Sequence, residues 1–291
     1  MNLLALKLLL APTLVGGASL AGRHFGPRVA GLAAALPIVA GPTLCFYALE
    51  QGPAFAATAA SGTLVGLVPL TVFCLAHASL ARVTLHLPRG LAAPLCLAAG
   101  WAAFLAAAVL LRPLPVPRWA APLVGAAALA AGLLLVRESA GDGRPPARHH
   151  AGVELALRML AAALLVTTLT SLAARLGPTW SGLLTPFPVA SSVMLFGAHL
   201  AGGGGLRPTT GRGPSPSNRS PSGLGETIRG FLLGLYGFVA FLTVLSFGLV
   251  PLGAGAAFTL GIAASLSVTA AAASRPWRRA APTTTAGAAG G

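Results

Sequence analysis

Apolar runs of 18 residues or more with few or no charges follow one another along this 291-residue chain, and nothing else in it limits the fold so tightly. A run of that length crosses the ~30 Å hydrocarbon core of a bilayer as one α-helix. In lipid every backbone N–H and C=O needs a partner within the protein, which leaves helices or closed barrels. Barrel strands alternate polar and apolar residues, and these runs do not. Only 8% of the residues are charged, against about 25% in a soluble domain. The sequence therefore predicts an all-α, polytopic transmembrane helix bundle whose first partner is the lipid bilayer.

Nine spans are expected, at about Leu3–Leu20, Val29–Leu49, Phe55–Leu80, Leu91–Leu111, Trp119–Val136, Val153–Ala174, Trp180–Leu200, Ile228–Phe247 and Ala254–Ala273. Residues 1–136 form a first membrane repeat plus a linker span, and 137–152 a cytoplasmic connector. Residues 153–273 form a second repeat, interrupted at 202–225 by a Gly, Pro and Ser-rich cytoplasmic loop expected to be disordered, like the tail at 274–291. With the N-terminus outside, the inner loops carry 15 basic residues, among them Arg23, Arg82, Arg137, Arg207, Arg229 and Arg275, and the outer ones four, Lys7, Arg112, Arg118 and Arg175. That asymmetry predicts an N-out, C-in protein of a bacterial inner membrane. It also accounts for the net charge of +14 without nucleic acid as a partner. The first run is read as an uncleaved span, because its cation, Lys7, lies inside the apolar stretch and cleavage would invert the charge bias. Lys7 stands alone against 18 arginines, the mark of a GC-rich genome. Cys45, Cys74 and Cys96 lie inside apolar runs without a C-x-x-C pair and read as small core residues, with no metal site or cofactor expected.

The chain aligns with itself at an offset of 151 residues. Leu4–Ala11 matches Leu155–Ala162, Gly26-Pro27 falls on Gly177-Pro178, Gly31-Leu32 on Gly182-Leu183, Pro37 on Pro188 and Leu44 on Leu195. After the polar loop, Thr63 and Gly66 fall on Thr227 and Gly230. Five spans separate the two repeat starts, an odd number, so the copies face opposite ways. Inverted-topology repeats are a signature of secondary transporters, whose binding site lies at the repeat interface.

Matched prolines interrupt spans 2 and 7, as Ala35-Leu-Pro37-Ile-Val-Ala-Gly41-Pro42-Thr43 and Thr185-Pro186-Phe-Pro188-Val-Ala-Ser191-Ser192. Proline removes a helical hydrogen bond and clashes with the preceding turn, so each span should kink or break near mid-membrane. Paired breaks of this kind point to a substrate site. The expected binding residues are Pro37, Gly41, Pro42, Thr43, Pro188, Ser191 and Ser192, their hydroxyls and freed backbone groups facing a small polar or anionic solute. Proline kinks that merely shape packing are the competing explanation.

The acids, Glu50, Glu138, Asp142, Glu154 and Glu226, all fall outside the deep parts of the spans, which argues against a carboxylate-driven proton or cation pump. Glu50 reads as a solvated carboxylate on an outer loop. His149-His150 lie in the basic connector, and His77 and His199 near inner span ends, where an interfacial imidazole is ordinary. Thr167, Thr168, Thr170 and Ser171 make span 6 rich in hydroxyls, which bond back to their own helix or across to a neighbour. P-loop, HExxH and GxSxG signatures are absent, and Gly17-Ala-Ser19-Leu20 lacks a histidine at matching depth, so no enzymatic activity is expected.

The paired Gly-Pro-x-x-x-Gly-Leu segments and mid-span prolines, with Ala48-Leu-Glu50-Gln-Gly52 after the first, resemble those of uncharacterised bacterial multi-pass integral membrane proteins with an internal repeat. The resemblance implies a bacterial inner membrane and carries no site residues. Two functions are expected from the residues themselves: a permease-like transporter, or a non-transporting scaffold, assembly or accessory subunit in which the duplication serves packing.

Overall fold

The computed structural model describes residues 6–7, 9–10, 12–17, 37–112, 114–136, 151–189, 191–193, 195–196 and 222–274. Among these, all regular structure is helical. An N-terminal helical segment lies within residues 6–17. It is followed by α1 (Ala40–Glu50), α2 (Pro53–Val65), α3 (Leu67–Val83), a 3-10 turn (Thr84–His86), α4 (Arg89–Leu111), α5 (Ala121–Leu135), α6 (Ala151–Leu184) and α7 (Ser222–Ser274). Among the described residues, four stretches are long and apolar enough to cross a membrane: Pro53–Val83, Gly90–Leu111, Leu155–Leu184 and Ile228–Ala271. α5, with 15 residues, extends only about 22 Å, short of the ~30 Å core. The polar loop expected over 202–225 ends earlier than its composition indicates, since α7 begins at Ser222. The rest of that loop, the tail beyond Ser274, Gly26-Pro27, Gly31-Leu32, Glu138, Asp142, His149-His150 and His199 lie outside the described residues.

Glycine sets where the helices break. Gly52, Gly177 and Gly253 share one conformation, with φ/ψ of 91/164°, 73/170° and 76/165°. A Cβ makes that region essentially inaccessible to other residues. Pro53 and Pro178 follow the first two; proline excludes the helical conformation for its predecessor and starts the next helix at no hydrogen-bond cost. The predicted Gly177-Pro178 turn is thus present, as a break inside α6. At Gly253 α7 folds back on itself: Phe241 lies against Gly261, Gly237 against Ser265 and Thr269, and Gly248 beside Ala257. Unbroken, its 53 residues would reach about 80 Å. Gly66 is milder, with helical φ/ψ of −61/−13°. Pro69 lacks the N–H that would reach Val65, so α2 and α3 form one bent helix.

Glycine notches also set the packing. Without water to drive association, helices in lipid associate through close contact at small residues. A Cβ on Gly100 would lie 2.8 Å from the Phe73 ring, and one on Gly261 2.9 Å from the Phe241 ring, so the α3–α4 hairpin and the α7 hairpin close through the same Phe-in-Gly notch. Gly62 and Gly66, an unremarked G-x-x-x-G pair, meet the stretch after Gly177: a Cβ on Gly62 would sit 3.2 Å from Gly182 Cα, and one on Gly66 2.9 Å from the Leu183 carbonyl. These matched positions make 179–186 run parallel to α2. α5 runs parallel to α2–α3, pairing Gly125 with Leu64 and Gly132 with Thr71. It is antiparallel to the first limb of α7, since Tyr236 donates to the Ala126 carbonyl and Arg229 to those of Leu133 and Val136. The core holds Leu44, Tyr47, Leu64, Phe73, Phe104 and Phe241, whereas Leu91, Val109, Leu110, Leu134, Leu160 and Leu260 are turned outward, as a lipid-facing rim requires.

Candidate functional site

α1 starts just past the first matched proline. Pro37, Ile38 and Val39 form a turn, and Gly41 N–H closes it by donating to the Pro37 carbonyl at 2.7 Å. Thr43 donates through both its amide and its hydroxyl to the Val39 carbonyl, the hydroxyl at 2.9 Å. Pro42 sits in the first turn of α1, where a missing N–H costs nothing. Pro37 therefore lies just ahead of α1, and Pro42 does not interrupt it; residues 29–36, the first part of the expected span 2, lie outside the described residues. Gly41, Pro42 and Thr43 are buried and Pro37 half-buried.

The second matched proline lies in a full interruption. Helical geometry stops at Leu184, and Thr185 to Pro188 are irregular before helical turns resume at Val189. Pro186 and Pro188 supply no N–H, Phe187 donates to Leu184 at 3.0 Å, and Val189 to Phe187 at 2.7 Å. The carbonyls of Leu183 and Thr185 accept no backbone N–H among the described residues. Pro188, Ser191 and Ser192 are buried. The two serines differ in what they do. Ser192 donates to the Pro188 carbonyl and accepts from Trp101 Nε1 at 2.9 Å, so its hydroxyl is fully used. Ser191 Oγ is buried without a hydrogen-bond partner among the described residues. On the α4 side, Trp101 and Phe104 pack on Phe187 at ring distances of 5.9 and 5.2 Å and cover the break.

α1 and the stretch after Gly177 meet one turn beyond Thr43, through a residue sequence reasoning passed over. The fully buried Tyr47 points its hydroxyl at the Ser181 carbonyl, 3.5 Å away, beyond ordinary O–H···O range. That carbonyl already accepts the Thr185 hydroxyl at 2.6 Å, and Ser181 Oγ has no partner among the described residues. Tyr47, Ser181 and Thr185 thus bring polar atoms together beside the break in an apolar core. No described hydrogen bond joins Thr43 to Ser191 or Ser192. Tyr47 carried no sequence signal beyond being an aromatic in an apolar run; the hydroxyls of Ser181 and Thr185 stood beside the matched proline.

One expectation changes. Glu50 is no solvated loop carboxylate: its two oxygens lie 2.6 and 2.9 Å from Lys7 Nζ, and Lys7 is 5% exposed with its ammonium 5.7 Å from the Phe46 ring centre. This pair ties the N-terminal segment to the end of α1. His77 is wholly buried beside Phe73. Thr170 bonds back to Val166 within its own helix, as expected for the hydroxyl-rich run. A separate half-open cleft of about 230 Å³ lies between α2, the α4–α5 connection and the start of the stretch after Gly177, with Thr58, Ser61, Gly62, Arg118 and Thr179 on its wall. None of the seven residues expected to bind solute lines it. No protein-family model matches the chain, nor does any curated protein or solved structure.

Proposed function

We infer that this chain is a permease-like transporter of a small polar or anionic solute, built from two inverted copies of a four-span unit around the breaks at Pro37 and Pro188. The observation that carries the reading is the interruption at Thr185–Pro188, where among the described residues the Leu183 and Thr185 carbonyls accept no backbone N–H and the buried Ser181 and Ser191 hydroxyls have no partner. Buried polar groups without partners are costly in a purely structural core. Irregular backbone at membrane depth is tolerated where it is enclosed by protein or lines a cavity.

The packing supports both the span count and the duplication. Strict alternation of nine spans requires spans 3, 5 and 7 to run one way and 4 and 8 the other. The observed neighbours agree: α2–α3 with α5 and with 179–186, α4 and the first limb of α7 opposed to them. Under inversion, spans 3–4 map onto 8–9, and these two hairpins share the Phe-in-Gly notch. The contact of span 3 with span 7 has its counterpart where Phe241 of span 8 approaches Gly41 of span 2. α5, the unpaired linker, touches the counterparts α3 and α7 together, through Thr71 and Leu232 on either side of Gly132. With the arginine asymmetry, this reading makes the chain an N-out, C-in protein of a bacterial inner membrane. The aromatic cover of Trp101 and Phe104 favours a second reading, a scaffold with a dry interior.

Thiol accessibility separates the two. In a background with Cys45, Cys74 and Cys96 changed to Ala, Ser191→Cys should react with a charged, water-soluble thiol reagent, while Leu195→Cys, in the apolar core, should not. Equal inertness of both thiols would leave the scaffold.

A further inference from the structure

The cleft beside α2 has the chemistry of an anion site. Arg118, Thr58, Ser61 and Thr179 line it, and no acidic residue does among the described residues. Thr58 commits its proton to the Ala54 carbonyl at 3.0 Å. Neither Ser61 nor Thr179 donates to a protein acceptor among the described residues, so both hydroxyls are available to a ligand. Arg112 supplies the contrast. It stands six residues away on the same connection, stacks over the Trp180 ring at 5.3 Å and stays out of the cleft. Arg118 has no ion pair or ring partner among the described residues. The floor is rigid, because Gly62 belongs to the close crossing with Gly182. At about 230 Å³ the space is below the ~300–1,000 Å³ of drug-sized ligand sites and suits one small headgroup.

We propose that this cleft binds a phosphate-type oxyanion, held by the Arg118 guanidinium and the hydroxyls of Ser61 and Thr179. A planar guanidinium presents paired N–H donors that match two oxygens of such an anion. The oxyanion is either a free solute or the headgroup of a phospholipid at the rim of the bundle. The proposal does not rest on the transport reading, because binding is measured without flux.

The test uses the full chain purified in a non-ionic detergent, at constant ionic strength. One arm titrates inorganic phosphate by calorimetry; the other counts short-chain phosphatidic acid adducts by native mass spectrometry. Arg118→Gln should weaken whichever probe binds by about tenfold or more, and the exposed position leaves the packing untouched. Arg112→Gln should change it less than about twofold, and Ser61→Ala with Thr179→Val should weaken it by roughly fivefold. Phosphate binding with this pattern identifies a free-anion site, and lipid adducts alone with this pattern a headgroup site. Binding of neither probe, or equal losses in Arg118→Gln and Arg112→Gln, would overturn the proposal.

Discussion

Replacing Lys7 by Met should destabilise the protein far more than replacing both members of its ion pair. The ammonium lies 2.6 Å from one Glu50 oxygen and 2.9 Å from the other, with side-chain exposures of 7% for Lys7 and 20% for Glu50. At an effective dielectric of about 20, unit charges at that distance attract by roughly 6 kcal/mol. Desolvation of two ions consumes most of that, so the pair is close to neutral in net stability. Breaking it is another matter, because the survivor is left uncompensated, at about 3–5 kcal/mol for a fully buried group. Glu50 keeps a fifth of its surface wet, so Lys7→Met belongs at the low end, about 2–3 kcal/mol. Glu50→Gln strands the more buried ammonium and belongs higher, about 3–4 kcal/mol. The double variant should return to within about 1 kcal/mol of the parent, giving a large favourable coupling in a double-mutant cycle. Unfolding in mixed micelles, followed by tryptophan fluorescence, measures all four species. Additive single effects, or a single cost below about 0.5 kcal/mol, would refute a buried, mutually compensating pair.

The prolines and glycines were the legible part of the fold, because each acts through its own backbone. Gly177-Pro178 and Thr185–Pro188 break the chain where their residue types require, whatever surrounds them. Contacts across the bundle were not legible. Lys7 and Glu50 are 43 residues apart, and nothing local to either marks it as half of a pair. The Gly62–Gly66 spacing was visible, but its partner Gly182 is known only once α2 and the stretch after Gly177 lie parallel. The same limit applies to the candidate site. The sequence pointed to Ser191 and Ser192 alike, and only the Trp101 bond shows that Ser192 is structurally committed and Ser191 is not. Pro42 stood among the expected binding residues, and its place in the first turn of α1 is visible only once the start of that helix is known. The Arg118 cleft draws on three separate elements, so no window of sequence contains it.

Two further outcomes test the glycine framework. Gly182→Leu should abolish a monodisperse species in size-exclusion chromatography, since even a Cβ there runs into the Ala59 carbonyl oxygen and comes within 2.9 Å of Gly62 Cα. Gly230→Leu, with open space at the same site, should behave like the parent, and equal behaviour of the two variants would discredit the crossing. The last outcome sets two neighbouring glycines against each other. Neither Gly253 nor Gly255 has any atom within 4 Å of a built Cβ, so an added methyl group clashes with nothing at either position. Only the backbone distinguishes them. Gly255 is helical, and Ala there should stabilise by roughly 0.5–1 kcal/mol, chiefly by restricting the unfolded chain. Gly253 holds φ 76° and ψ 165°, where Ala should cost about 1–3 kcal/mol. Thermal unfolding of the two variants should therefore shift in opposite directions. Shifts of the same sign would mean that the reversal at Gly253 is not held by its backbone geometry, and the division of α7 into two limbs would lose its physical cause.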